Sequence, residues 1–191
     1  MNSFFKIGDR KIGYDYQPLV IAEIGINHGG SLEVAKKMVD EAAKSGVEII
    51  KHQTHIVKDE MSPEADKNVV DYIGSSIYKL MEDCALNYNE ELELKKYTEQ
   101  KGLIFISTPF SRAAANRLNE FDVPAFKIGS GECNNYPLLK YICKFKKPII
   151  MSTGMNLLKD IEVSINILKK ARIPFVVLHC TNIYPTPSKL I

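Results

Sequence analysis

Six short apolar runs in this 191-residue chain each give way to small and polar residues, and a helical pattern follows each of the first five. Such strand–helix alternation predicts parallel strands, whose carboxyl ends all meet at one face. The runs are residues 20–25, 47–53, 103–108, 125–130, 148–153 and 175–180. The polar residues that this face would gather are Glu23, Lys51, Gln53, Thr108, Lys127, Ser130, Ser152 and His179.

Two architectures fit this alternation, a doubly wound open sheet and a (β/α)8 barrel. An open sheet binds its ligand mainly at one switch point, whereas a barrel builds its site from the loops after all of its strands. Polar residues follow all six runs, which favours the barrel. Six units are two short of closure, and an unclosed sheet would leave two long apolar edges. We therefore expect an incomplete (β/α)8 TIM barrel of about six βα units.

Short strand-like pieces flank Gly8-Asp9-Arg10 and predict an N-terminal β-hairpin that covers the amino end of the barrel. We expect the hairpin to occupy residues 1–16 and the partial barrel to occupy residues 17–191. The polar segment 54–75 shows no clear periodicity. A loop of that length inside a compact domain is usually functional.

Composition excludes several classes of protein. Hydrophobic residues make up 45% and charged residues 25%, which is ordinary for a soluble globular protein, and a net charge of +2 gives no general attraction to nucleic acid or membrane. The amino terminus lacks the apolar core of a signal peptide. The four cysteines show no C-x-x-C spacing, so we expect reduced thiols in a cytoplasmic protein without nucleic-acid or membrane partners.

Two lysines lie on apolar strands. Lys51 and Gln53 are two residues apart, so their side chains point to the same side, and Lys127 repeats the situation two strands later. Burying a lysine is costly unless it meets an anion, although an edge lysine that extends to solvent remains an alternative. The nearby hydroxyl and amide side chains are Ser130, Ser152 and Asn182. Together these groups are typical of a cradle for phosphate and carboxylate.

Other polar positions leave alternatives open. Glu23 lies in an apolar strand, where we expect a buried carboxylate that either pairs with a lysine or transfers protons with a raised pKa. The glycines of Gly129-Ser130-Gly131-Glu132 allow close approach of a ligand, but an ordinary βα turn explains them as well. The four histidines lack metal-ligand spacing and are expected to be hydrogen-bonded core or surface residues.

Six motifs, taken together, resemble the bacterial sialic acid synthase family in order and spacing over nearly the whole chain. The motifs are Ile21-Ala22-Glu23-Ile24-Gly25-x-Asn27-His28, Lys51-His52-Gln53-Thr54, Ser107-Thr108-Pro109-Phe110, Lys127-Ile128-Gly129-Ser130-Gly131-Glu132, Ser152-Thr153-Gly154-Met155 and Leu178-His179-Cys180-Thr181-Asn182-x-Tyr184-Pro185-Thr186-Pro187. The resemblance implies an enzyme that condenses phosphoenolpyruvate with N-acetylmannosamine and water to give N-acetylneuraminate and phosphate.

The resemblance also implies roles for ten residues. Those expected to hold the phosphate of phosphoenolpyruvate are Lys51, Ser130, Ser152 and Asn182. Those expected to hold its carboxylate are Lys127 and Thr108. Those expected to face the amino sugar are Glu23, Gln53 and Tyr184. Glu23 is the leading candidate for proton transfer, with Glu132 close by to orient it, so the catalytic set is Glu23, Lys51, Lys127 and Glu132.

Members of this family have a small C-terminal antifreeze-like domain, form a domain-swapped homodimer and use a divalent metal, usually manganese. Their metal-binding histidines lie on later strands, beyond Ile191 in this numbering, so we expect no metal ligands in this chain and little or no activity from it alone. The segment 67–74 does not clearly present the asparagine that the family uses on the sugar. A related amino sugar, of the legionaminic or pseudaminic type, therefore stays open.

Two other interpretations of the function remain open. Lys51 or Lys127 could form a Schiff base, as in an aldolase. Alternatively, the chain could lack catalytic activity, either as a decayed or truncated gene product or as a domain that pairs with a partner through its open sheet edges.

Overall fold

A computed structural model describes residues 4–70, 74–183 and 185–190. The strands in these ranges are β1 (Phe4–Ile7), β2 (Arg10–Gly13), β3 (Ile21–Gly25), β4 (Ile49–Thr54), β5 (Val69–Val70), β6 (Ser75–Ser76), β7 (Ile104–Pro109), β8 (Phe126–Ile128), β9 (Ile149–Ser152) and β10 (Phe175–Leu178). The α-helices are α1 (Leu32–Lys44), α2 (Val57–Glu60), α3 (Ile77–Cys84), α4 (Tyr88–Gln100), α5 (Arg112–Glu120), α6 (Tyr136–Ile142) and α7 (Leu158–Ala171).

The main sheet is wound in one direction. In the described residues its order is β3-β4-β7-β8-β9-β10, and every neighbouring pair is parallel. A doubly wound sheet would reverse its strand order at a switch point, and this sheet does not. The expected incomplete (β/α)8 barrel is therefore confirmed, as a curled sheet of six strands with β3 and β10 at its edges.

The N-terminal hairpin is also confirmed. Strands β1 and β2 pair in antiparallel fashion, and Ile7 is fully buried in a cluster with Ile49, at the start of β4. Arg10 forms a 2.6 Å ion pair with Glu48, the residue that precedes β4. Both contacts hold the hairpin against the amino end of the sheet. The boundary between a hairpin unit at 1–16 and a barrel unit at 17–191 stays a prediction.

Alternate strand residues lie in two separate apolar layers. Ile49 and Ile150 belong to the layer inside the curl of the sheet, whereas their neighbours Ile50 and Ile149 belong to the layer under the helices. Because side chains alternate along a strand, the residues two positions after the inner ones also point inward. These residues include Lys51, Lys127 and Ser152, which follow Ile49, Ala125 and Ile150. The inner layer is thus apolar at its amino end and polar at its carboxyl end.

The predicted helices are present with small shifts at their ends. Helix α1 begins after Ser31, whose hydroxyl accepts a hydrogen bond from the Val34 N–H. The helical segment after β8 is divided into α6 and a 3-10 turn at Cys143–Phe145. The long polar segment contains α2, a 3-10 turn at Pro63–Lys67 and the short β5–β6 pair. Among the described residues, every helix is too short or too polar to cross a membrane.

A buried polar chain joins the loop after β3 to β4 and α4 on the outer side of the sheet. Glu91 on α4 is 1% exposed and accepts hydrogen bonds from His52 and Thr54 and from Arg117 at 3.1 Å. Burial alone would raise the pKa of Glu91, but the hydrogen bonds from His52 and Thr54 and the charge of Arg117 hold it below its usual value. Glu91 is therefore an ionised acceptor.

The ionised Glu91 determines which ring nitrogens of His52 and His28 carry a proton. His52 donates from Nδ1 to Glu91, so its Nε2 accepts from His28 Nε2 at 3.1 Å, and His28 Nδ1 accepts from the Gly30 N–H at 3.2 Å. Burial and the neighbouring His52 lower the pKa of His28 to about 4. His28 and His52 are hydrogen-bonded core residues, as expected, and His55 is another, whereas His179 is exposed.

The neutral His28 predicts acid sensitivity. The unfolded state takes up a proton near pH 6.5 and the folded state only near pH 4, so stability is fully present above 6.5 and is lost as the pH falls through this window. We expect the free energy of unfolding to fall by about 1–2 kcal/mol between pH 7 and pH 5. Urea unfolding at both pH values measures this change.

His28→Asn should remove most of this pH dependence, and the exposed His179→Asn should leave it in place. If the free energy of unfolding falls by the same amount between pH 7 and pH 5 in the wild type and in His28→Asn, the pH dependence does not come from His28.

Candidate active site

A cleft of 590 Å³ lies at the carboxyl ends of the strands. Seven of the ten site residues predicted from the sequence line it. They are Glu23, Lys51, Gln53, Lys127, Ser130, Ser152 and Asn182. The inward positions of the strands bring these side chains together although they are up to 159 residues apart in the chain (182 − 23).

The other three predicted residues behave differently. Tyr184 lies outside the described residues. Glu132 is not among the residues that line the cleft, and its carboxylate accepts a 2.6 Å hydrogen bond from Asn135, so no described contact supports a role in orienting Glu23. Thr108 is buried at an inward position of β7, and its hydroxyl has no hydrogen-bond partner within the described residues.

Lys127 is a deeply buried cation of the cleft with a lowered pKa. It is 3% exposed and donates to Ser152 Oγ at 2.6 Å and to the carbonyl of Ile128 at 2.9 Å. Burial, and after it the positive charge of Lys51, lowers the pKa of Lys127 to about 8. An anion between the two lysines would offset both effects. The expectation that Lys51 and Lys127 are inward and buried is confirmed.

Glu23 differs from its predicted environment. Its carboxylate pairs with Lys51 at 3.4 Å, but its side chain is 59% exposed while that of Lys51 is 6% exposed. The prediction of a buried carboxylate is wrong, because β3 is an edge strand of the described sheet and leaves the carboxylate open to solvent. The pairing with a lysine that the sequence left open is what the structure contains.

One corner of the cleft, called the anion corner below, brings together Ser130, Gly154, Cys180 and Asn182. Ser130 Oγ accepts from the Gly154 N–H at 3.0 Å, and a Cβ added at Gly154 would collide with Asn182 Oδ1. Burial raises the pKa of the Cys180 thiol, but hydrogen bonds from Ser152, Ser130 and the amides of Thr153 and Gly154 outweigh it and lower the pKa. The same donors could stabilise an anionic ligand.

Three residues in or next to this cleft are not among the ten predicted site residues. Cys180 lines the cleft and is part of a motif in the sequence. Gly154 follows β9 by two residues and lies against Asn182 and Ser130, which line the cleft, and a glycine soon after a strand end is a recognisable signal for close approach. Phe110 lines the cleft and stacks on His55. Nothing in the sequence indicated that contact, because the segment after β4 has no periodicity.

The described residues do not fit a metal centre. Within the residue ranges that the structure covers, no group of three or more His, Cys, Asp or Glu side chains could hold a metal ion. Glu23 and His179 both line the cleft but do not complete such a set.

The lowered pKa of Lys127 predicts how the cleft binds anions. The resemblance implies phosphoenolpyruvate as the anion. It would favour the charged amine, so we expect its affinity to fall as the pH rises through about 8. Lys127→Met removes a buried cation and should not lower the melting temperature in ligand-free buffer, but should abolish most of the increase that added phosphoenolpyruvate causes. Thermal unfolding at pH 7 and pH 9, with and without ligand, tests both points.

The exposed Lys37→Met is the control and should keep the full ligand effect. A Lys127→Met variant that phosphoenolpyruvate still stabilises fully would disprove the assignment.

Gly154 offers a second test. Gly154→Ala forces the flexible Asn182 side chain away from the anion corner, so we expect phosphoenolpyruvate affinity to fall by about tenfold or more with little change in stability. A Cβ added at Gly131 meets nothing within 4 Å, so Gly131→Ala should change the affinity much less. Titration calorimetry measures both affinities, and equal losses would argue against a specific role for the Gly154–Asn182 contact.

Comparisons with known proteins identify the family and the fold of the chain. A profile of the NeuB family matches residues 38–191. The N,N'-diacetyllegionaminic acid synthase of Campylobacter jejuni subsp. jejuni is 38% identical over 176 residues, which cover 88% of this chain and 53% of that protein. The N-acetylneuraminate-9-phosphate synthase of Homo sapiens is 31% identical over 183 residues, which cover 92% of this chain and 50% of that protein.

A solved structure gives the same result at the level of the fold. The crystal structure of N-acetylneuraminic acid synthetase from Leptospira borgpetersenii, in complex with citrate, aligns with a TM-score of 0.87 and 31% identity. The alignment covers 99% of this chain and 63% of that one. The chain spans about half the length of the curated relatives it matches.

Proposed function

This chain belongs to the NeuB family, and we propose that it supplies the phosphoenolpyruvate-binding part of an enzyme that condenses phosphoenolpyruvate with N-acetylmannosamine or a related amino sugar. Water is the third substrate, and the products are N-acetylneuraminate, or a related nonulosonate, and phosphate. The observation that carries the proposal is the pair of buried lysines, Lys51 and Lys127, beside an anion-holding corner in one cleft.

Two anionic groups of phosphoenolpyruvate match two parts of the cleft. The corner of Ser130, Gly154 and Asn182 suits the phosphate, with Lys51 as its counter-ion. Lys127 suits the carboxylate, and the Thr108 hydroxyl, which has no partner among the described residues, would gain one. A buried hydroxyl without a partner is unfavourable, and a carboxylate oxygen placed beside Thr108 would remove that cost, which favours this orientation.

The residues of this chain act on charge and protons during the proposed reaction. A C–C bond forms between C3 of phosphoenolpyruvate and the sugar aldehyde carbon, and the aldehyde oxygen takes up a proton. Water then adds at the C2 cation that C–C bond formation leaves, and Glu23 accepts one of its protons, which balances the proton taken up by the aldehyde oxygen. The bond between C2 and the phosphate oxygen breaks as the C2 hydroxyl becomes a ketone, and the second proton of the water leaves with the phosphate. Lys51 and Lys127 stabilise the negative charge on the phosphate and the carboxylate. No step runs through a metal ion here, because the described residues offer no ligand set for one.

Several finer expectations stay predictions. They are the choice among amino sugars, the divalent metal, the domain-swapped homodimer, the cytoplasmic location and the low activity of this chain by itself. The relatives include synthases of legionaminic, pseudaminic and N-acetylneuraminic acid derivatives, so family membership leaves the sugar open. The alternative of a chain without catalytic activity predicts the same cleft but no turnover in any assembly.

A chimera tests the proposed reaction. The 191-residue chain would replace the matching segment of the Campylobacter jejuni relative, which is about half of that protein. We expect the chimera to release phosphate from phosphoenolpyruvate when N-acetylmannosamine or a related amino sugar is present. In it, Glu23→Ala should lower turnover by about 10²–10⁴-fold with little effect on phosphoenolpyruvate binding, whereas Lys51→Met should weaken that binding by about 2–5 kcal/mol.

If Glu23→Ala and Lys51→Met each lose turnover and phosphoenolpyruvate affinity to a similar extent, the assignment of proton transfer to Glu23 and of phosphate binding to Lys51 is wrong. Lys37→Met, on an exposed face of α1, serves as the control for removal of a lysine. The lowered pKa of Lys127 also suits a Schiff-base aldolase, so the chain should be treated with pyruvate and borohydride. We expect no covalent adduct, and trapping on Lys127 would replace the proposed condensation with an aldolase.

A further inference from the structure

The side chains of Glu60, His55 and Gln53 form a hydrogen-bonded chain that ends in the cleft. Gln53 lines the cleft, and its Oε1 lies 3.3 Å from Nε2 of His55, which is 5% exposed. The other ring nitrogen, Nδ1, lies 2.9 Å from Oε2 of Glu60 on α2. The ring stacks on Phe110, with 4.4 Å between the ring centroids and 12° between the planes. Three neighbours therefore hold the imidazole in place.

The hydrogen-bonding capacities of these groups determine which atom donates and which accepts in each contact. An ionised carboxylate can only accept, so Nδ1 of His55 must donate to Glu60. The Gln53 atom nearest to His55 is its carbonyl oxygen, which also only accepts, so in this arrangement Nε2 donates as well and, unlike His52, the His55 ring carries a proton on both nitrogens. The NH2 group of Gln53 is thereby left for another partner. It lies beside Gly25 at the end of β3, 4.0 Å from the position that a Cβ there would take.

We propose that Glu60 and His55 are a positioning pair that holds Gln53 with its NH2 group free to donate to an acceptor oxygen of the amino sugar. Neither Glu60 nor His55 touches the substrate in this scheme. Both act through Gln53, and the ring stack on Phe110 keeps the imidazole from turning. The identity of the ligand rests on the proposed function, whereas the orientation of Gln53 rests on the contacts alone.

Two substitutions of His55 separate positioning from packing. His55→Gln can place an amide donor near the position of Nε2 and so keep the hydrogen bond to Gln53. His55→Asn can place one near Nδ1, where it bonds Glu60 and leaves Gln53 unsupported. Both variants remove the ring that stacks on Phe110, and Asn leaves the larger space. A packing role therefore predicts a loss of stability without a specific change in sugar binding, whereas a positioning role predicts that His55→Asn raises the KM for the sugar more than His55→Gln does.

The kinetic arm uses the chimera with N-acetylmannosamine as the variable substrate. We expect His55→Asn to raise the KM for the sugar by about tenfold or more, and His55→Gln to raise it by clearly less. Glu60→Gln should lie between them, and the exposed Glu64→Gln of the same segment should match the wild type. Phosphoenolpyruvate affinity should stay within about twofold in every variant. Equal KM values for the two His55 variants, or a parallel loss of phosphoenolpyruvate affinity, would overturn the proposal.

The second arm uses the chain alone, without substrates. Nuclear Overhauser contacts from the Gln53 NH2 protons report which way the carboxamide points. We expect contacts to the Gly25 α-protons in the wild type and their loss in His55→Asn. Contacts from the NH2 protons to the His55 ring would mean the opposite orientation and would overturn the proposal. Because this arm needs no turnover, an inactive chimera with the expected contacts would reject the proposed reaction and leave the positioning pair intact.

Discussion

The two-residue period of the parallel strands places the cleft side chains that lie on strands, among them Lys51, Gln53, Lys127 and Ser152. On β4, β8 and β9 the inner residues are apolar at the amino end, and the polar residues two positions later share the same face. A strand shifted by one residue would turn Lys51 or Lys127 into the layer under the helices, where no anion could reach it. The apolar inner cluster, closed below by Ile7 of the hairpin, fixes the register from which the polar end follows.

The register brings two buried cations close together, which is unfavourable in the ligand-free protein. Glu23 lies 3.4 Å from Lys51 but is open to solvent, so it screens the pair only partly. Lys127 is left to donate to a hydroxyl and a carbonyl, and burial, followed by the charge of Lys51, lowers its pKa. An anion in the cleft offsets both effects. Binding and stability are therefore coupled through the same two ammonium groups, as is common where a site is built at the expense of stability.

Much of this arrangement was predictable from the sequence, because periodicity reports burial directly. The six strands, the hairpin and the inward lysines follow from patterns of apolar residues. Glu23 was misjudged because the pattern of β3 resembles that of an interior strand, whereas β3 is an edge of the described sheet. Glu91 was not foreseen, since a carboxylate on an amphipathic helix normally faces solvent and only the fold brings His52 to it. The His55–Glu60 contact lies in a segment without periodicity.

The cleft has two halves that are held in different ways. The anion corner is built from the ends of β8, β9 and β10 and depends on backbone amides and small side chains such as Gly154. The β3–β4 half depends on polar contacts outside the cleft: His52 bonds Glu91 behind the sheet, and His55 holds Gln53 at its edge. Substitutions in the segment after β4 can therefore alter the β3–β4 half without moving the anion corner. That separation fits a family whose members are named for different nine-carbon sugar acids and share one barrel.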